Sequence, residues 1–197
     1  MSRIAVALVA LLLTAAGCSS GSEPSAQSSA EPSSVAPTPL SELRTDTMTV
    51  ARTAFCARVA PGAVEDALGA TPDSSDSWAN GDRARLTDGP GGVTDVAHEF
   101  GCRWAAADGT TASAWVFAPP VTPGQAGRLR RAAATAPGCH PVPGAPDFGS
   151  PSVAVRCADG TTSFHGLFGD AWLSCSLGAD LERVSRWCVA VAEAATA

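Results

Sequence analysis

Seven cysteines and three histidines carry most of the reactive capacity of this sequence. One cysteine stands apart. Cys18 closes the stretch Leu13-Thr14-Ala15-Ala16-Gly17-Cys18, which follows Arg3 and an apolar run from Ile4 to Leu13. A basic start, a short hydrophobic segment and small residues before a cut are the marks of an export signal over residues 1–17. A cysteine just after the cut is the acceptor for a diacylglyceryl thioether. Ala15 stands where Leu is usual, three places before such a cysteine. The apolar run is about ten residues, well short of the roughly twenty that cross a bilayer. The spacing therefore predicts a lipidated Cys18 that fixes the mature chain to the membrane on its extracytoplasmic face.

Cys56, Cys102, Cys139, Cys157, Cys175 and Cys188 remain. An even count outside the cytoplasm reads as three disulfides. No C-x-x-C pair suggests zinc. Six cysteines allow fifteen connectivities. A repeat narrows them: Ala107-Asp108-Gly109-Thr110-Thr111 recurs as Ala158-Asp159-Gly160-Thr161-Thr162. Each copy follows a cysteine, 102 or 157, and each is preceded by a helical segment with its own cysteine nearby, 56 or 139. This favours 56–102 and 139–157, and leaves 175–188.

The histidines are His98, His140 and His165, and none sits in a nucleophile-elbow, phosphate-loop or zinc-protease motif. Asp73, Asp76, Asn80 and Asp82 miss the spacing of a calcium loop. Neither cofactor nor metal is expected. His165 has the most promising neighbours. Pairing around the expected turns sets it across from Ser174 and diagonal to Trp172, with Arg156 and Ser163 close by. Arg156, His165 and Trp172 are therefore the candidate binding face.

These groups need a scaffold. The chain of 197 residues leaves one ordinary domain over 41–197 once the signal and a Ser/Pro-rich tether over 18–40 are set aside. Formal net charge is −6, all thirteen cations are Arg, and nothing basic clusters, so nucleic acid is not an expected partner. The abundance of Ala, Gly, Pro and Arg points to a GC-rich actinobacterial genome. Pro61 and Gly69 bracket a helix, and residues 70–95 read as a surface loop. Asp108-Gly109 predicts a two-residue hairpin turn that sets Cys102 opposite Trp115 and Phe100 opposite Phe117. Phe100, Cys102, Trp104, Trp115 and Phe117 then share the core face. Thr122 caps a helix to about Ala136, and residues 139–150 read as loop. Ser152 to Leu177 reads as a three-stranded meander turning at Asp159-Gly160 and Gly169-Asp170. There Val153, Val155 and Cys157 face Gly166, Phe164 and Thr162. The opposite face carries Arg156, His165, Trp172 and Ser174. Asp180 caps a last helix whose Leu181, Val184, Cys188 and Val191 dock on the sheet. The expectation is an α+β fold, an antiparallel sheet of about five strands with three helices packed on one face.

Phe55-Cys56-Ala57-Arg58-Val59, Val64-Glu65-Asp66-Ala67-Leu68-Gly69 and Gly101-Cys102-Arg103-Trp104 together resemble small actinobacterial secreted lipoproteins with a disulfide-bonded domain of unknown function. The likeness covers about 50–190 in the order of elements, and only these short motifs closely. It implies a secreted, disulfide-bonded α+β domain and supplies no catalytic residue. The leading expectation is a membrane-anchored, non-catalytic binding or accessory module of the cell envelope, its partner an envelope protein or an apolar ligand. The alternatives are a carrier, with an apolar ligand held between sheet and helices beside Trp104, Trp115, Phe164 and Trp187, and an envelope hydrolase using His165 or His98.

Overall fold

The two Asp-Gly turns decide which side chains share a face. In the computed structural model, which describes residues 38–85 and 94–196, both turns are one residue longer than expected. Strand β4 (Glu99–Ala105) and strand β5 (Thr111–Phe117) are joined through Ala106, whose N–H donates to Thr110 O, while Gly109 N–H donates to Ala106 O. Gly109 has φ +89°. This is a type I turn closed by a left-handed glycine, a three-residue loop. Asp108 fixes it by accepting from Thr110 N–H at 2.8 Å. The second copy does the same between β7 (Ser152–Cys157) and β8 (Thr162–Phe168), with Gly160 at φ +87° and Asp159 accepting from Thr161 N–H at 2.9 Å.

One extra loop residue shifts both registers by one and turns a strand over. Cys102 therefore faces Ala114, not Trp115, and Phe100 faces Val116. Arg156 faces Thr162, and Ala154 faces Phe164. The Gly169-Asp170 turn has two residues as expected, so β8 pairs with β9 (Ala171–Leu177) in the anticipated register, Phe164 on Cys175 and His165 on Ser174.

The sheet is antiparallel and has seven strands, not about five, in the order β1-β4-β5-β9-β8-β7-β6. The two additions lie in segments read as loops: β1 (Ser74–Trp78), almost wholly polar, and β6 (Cys139–Pro141). Pairing with a neighbour defines them, since neither has an alternating apolar pattern of its own. A separate ribbon joins β2 (Arg83–Arg85) to β3 (Thr94–Val96). The expected signal, Cys18 and the tether up to residue 37 lie outside the described residues, and Leu40, assigned to the tether by composition, is buried in the core.

Helix α1 (Pro61–Leu68) starts on Pro61 and ends at Gly69, φ +72°. Helix α2 (Pro123–Ala134) has a capping box: Gln125 N–H donates to Thr122 Oγ1, and Thr122 N–H donates to Gln125 Oε1 at 2.8 Å. Helix α3 (Leu181–Ala195) begins where Asp180 accepts from Arg183 N–H at 2.9 Å. The helices do not all pack on one face. Val64, Leu68, Val184, Trp187 and Cys188 of α1 and α3 join one core with Cys102, Ala112, Ala114, Val116, Phe164, Leu173, Cys175 and Leu177. Helix α2 covers the other face, where Val121, Ala126, Leu167 and Trp172 form a second, smaller cluster. The shifted β4–β5 register contributes to the split: it sends Trp115 and Phe117 to the face opposite Phe164, where Leu167 and Trp172 already lie, and that enlarged apolar set requires its own cover.

The disulfides are Cys56–Cys102, Cys139–Cys157 and Cys175–Cys188. The first pins the segment before α1 to β4, the second joins directly opposed residues of β6 and β7, and the third fastens α3 to β9. Arg58 adds a guanidinium at the end of α3, its Nε–H donating to Ala194 O at 2.7 Å.

Candidate functional site

The three residues of the expected binding face do not form one open surface. Arg156 is exposed on the α1/α3 side of the sheet, beside His140 across β6. Trp172 is 2% exposed and packed under α2 with Val121, Ala126 and Leu167. His165 is on that second face too, at the margin of α2. The register error displaced Arg156. Trp172 and His165 lie on a common face, as expected, but helix α2 lies on it as well.

His165 Nδ1 is 2.8 Å from Ser174 Oγ, and its ring is 6.4 Å from the Trp115 ring. Burial pushes the imidazole pKa down to about 4, so it is neutral at physiological pH. A serine and a histidine at this distance have the geometry of a nucleophile and its base. Ser174, however, is buried, and the hydroxyl has no open approach. The pair is a satisfied polar contact inside the sheet–helix layer.

The remainder of this face is more open. Helix α2 packs chiefly on β6, β7 and β8, and its Leu129 reaches the Phe117 end of β5. Two rows of residues cross the sheet on this face. One row runs Trp78, Gly101, Trp115, Ser174, His165 across five strands. The next runs Asp76, Arg103, Ser113, Ser176, Ser163. Trp78, Arg103, Ser113, Trp115, Phe117, Ser163 and Ser176 are all half-buried, and the Ser113 and Ser176 hydroxyls are 2.7 Å apart.

Gly101 makes this arrangement possible. A Cβ there would meet the Trp78 indole at 2.2 Å, so the glycine is the gap across which Trp78 lies. Trp78 Nε1–H donates to Glu99 Oε1 at 3.1 Å, which holds the ring down on β4. Burial raises the Glu99 pKa, and the Trp78 hydrogen bond and nearby His98 work in the opposite direction. Trp115 leans on Phe117 with ring centres 4.9 Å apart. At the Phe117 end, α2 and the sheet border a cleft of about 270 Å³ lined by Phe117, Val121, Leu129, His98, Gln125 and Arg128. The floor is thus aromatic, α2 borders it at the Phe117 end, and a line of hydroxyls and opposite charges runs alongside.

No protein-family model, curated protein or solved structure matches the chain.

The functional reading consequently rests on this geometry. Sequence reasoning placed Trp115 and Phe117 in the core and read Ser74–Trp78 as loop, so it missed the platform. The available signal was Gly101 in the interior of a strand, which marks a close approach by a neighbouring group. The residues expected to line a carrier cavity are not gathered around one. Trp104 and Trp187 pack edge to face at 5.4 Å, Phe164 is fully buried against Phe148, and Trp115 is on the opposite face. A different cleft, of about 810 Å³, opens between Leu40, Asp66, Pro146, Leu181 and Arg186. Among the described residues no three His, Cys, Asp or Glu side chains converge as a metal would require, and no helix is long and apolar enough to cross a membrane.

Proposed function

We propose that the protein is a lipid-anchored, extracytoplasmic binding module of the cell envelope, acting without catalysis through the half-covered face beside α2. The observation that carries this reading is the pairing of half-buried Trp78, Trp115 and Phe117 with a neighbouring polar row on a rigid sheet. Aromatic side chains in such positions present large contact area at small entropic cost, and they are the usual anchors of binding surfaces. Three disulfides outside the expected signal fit an oxidising compartment. Lipidation at Cys18 supplies the address: two acyl chains hold a protein at a bilayer where one does so only marginally.

A crosslinking experiment tests the binding reading. A photoreactive residue at Ser113, on the platform, is expected to capture an envelope component from intact cells. The same residue at exposed Glu193, on α3, serves as control. Equal capture from both positions, or none from Ser113, would remove the platform as the binding surface. For the anchor, Cys18→Ser is expected to move the protein from the membrane fraction to the medium or soluble fraction. Mass spectrometry that finds Cys18 unmodified in the wild type would end that part of the proposal.

A further inference from the structure

Resting on the binding reading above, the platform points to a ligand class. We infer that it binds a neutral, hydroxyl-rich polysaccharide, with sugar rings lying on Trp78 and Trp115 and their hydroxyls meeting the row Asp76, Arg103, Ser113, Ser176.

Charge is the first argument. The chain carries −6 overall, yet the platform is balanced, with Asp76 and Glu99 set against Arg103 and Arg128. Asp76 and Arg103 are directly opposed across β1 and β4, and Glu99 accepts the Trp78 N–H. A polyanion would meet the acidic remainder of the molecule, and on the strip itself Arg103 is already opposed by Asp76. A polycation would find stronger attraction elsewhere than on this neutral strip. An uncharged ligand matches the strip.

The second argument is the alternation of surface types. Trp78 and Trp115 sit on β1 and β5, one strand apart on either side of Gly101. Their backbones are about two strand spacings, about 10 Å, apart, and the Trp78 ring reaches over Gly101 into that interval, which brings the two indoles closer than that. Between them Gly101 is buried beneath the Trp78 ring, which forms the floor there. A pyranose has apolar C–H faces and polar edges. Its face suits a flat indole, while its edge hydroxyls both donate and accept. Serine hydroxyls do likewise, a guanidinium only donates and a carboxylate only accepts, so the row offers every complement. An acyl chain would cover these polar groups and take water from them without bonding to them, at a cost.

The test uses the full-length protein in detergent, run by affinity electrophoresis through gels containing laminarin, galactomannan or dextran, with heparin as the charged comparison. Retardation by at least one neutral glycan is expected, unaffected by 0.5 M salt in order of magnitude because no charge is exchanged. Trp78→Ala and Trp115→Ala should each weaken it at least about 10-fold. The double variant Ser113→Ala/Ser176→Ala, which removes two hydroxyls and little packing, should weaken it by about 10-fold and keep the wild-type melting temperature. No retardation by any neutral glycan, or retardation by heparin alone, overturns the inference. If Ser113 crosslinks to an envelope protein while the glycan gels are blank, the platform stands as a binding surface and the ligand class is wrong. If both fail, both proposals fall.

Discussion

Trp172→Ala separates a buried anchor under α2 from an exposed one. The side chain is 2% exposed and sits in a cluster with Val121, Ala126 and Leu167, with Trp115, Phe117 and Leu129 packed around it. A tryptophan hides about 200 Å² on burial, which at about 25 cal/mol/Å² is about 5 kcal/mol. That is an upper figure, since the unfolded chain already covers part of its apolar surface. Alanine keeps little of it, and aromatic truncations in packed cores cost about 3–5 kcal/mol. In a domain of this size each kcal/mol moves the melting temperature by about 2–4 °C, so a fall of about 6–20 °C is expected. The assay is thermal unfolding by circular dichroism with the disulfides kept oxidised, wild type and variant side by side. Half-buried Trp115, changed to Ala in the same way, should lose less. A Trp172→Ala shift below about 2 °C, the size of an ordinary surface substitution, would refute the placement of α2 on this face and the β8–β9 register with it.

Three other outcomes follow from the packing. Thr162 Oγ1 is buried without a hydrogen-bond partner, so Thr162→Val, which keeps the shape, should raise stability by about 1 kcal/mol or leave it unchanged in denaturant titration; a loss above about 1 kcal/mol would show a bond to that hydroxyl. Burial lowers the His165 pKa from 6.5 to about 4, so the unfolded chain takes up the proton first. Stability is full above pH 6.5, declines as pH falls towards 4, by at most about 3 kcal/mol, and His165→Gln should flatten that slope when melting is followed against pH. A Cβ on Gly166 would fall 1.4 Å from Phe148 O, so Gly166→Ala should cost about 3 kcal/mol or more, or prevent folding, whereas Gly178→Ala, with open space around it, should stay within about 1 kcal/mol; similar expression and melting of the two variants would contradict the crossing of the 148–149 backbone over β8.

Local rules written in the sequence marked the helices and one hairpin. Pro61 with Gly69, Thr122 as a cap, and Asp180 before an apolar stripe marked three helices because caps act within a turn of the chain. The β8–β9 register followed from Gly169-Asp170 for the same reason, and the cysteine echo led to the pairings 56–102, 139–157 and 175–188 that the structure contains. The other two hairpins show the limit. Asp-Gly is compatible with a two-residue turn and with a three-residue loop ending in a left-handed glycine, and the choice between them depends on which faces of β4, β5 and β7 find a cover. Tertiary structure made that choice. It put Ala112, Ala114 and Val116 beneath α1 and α3, sent Trp115 and Phe117 to the other face, and placed α2 over Trp172. Polar β1 became a strand only because the edge of β4 was there to pair with it, and Trp78 found its place only because Gly101 left one empty. Helix caps and tight turns are short-range interactions and can be read along the chain. Which layer covers which face, and hence where the platform lies, is decided by burial summed over residues far apart in sequence.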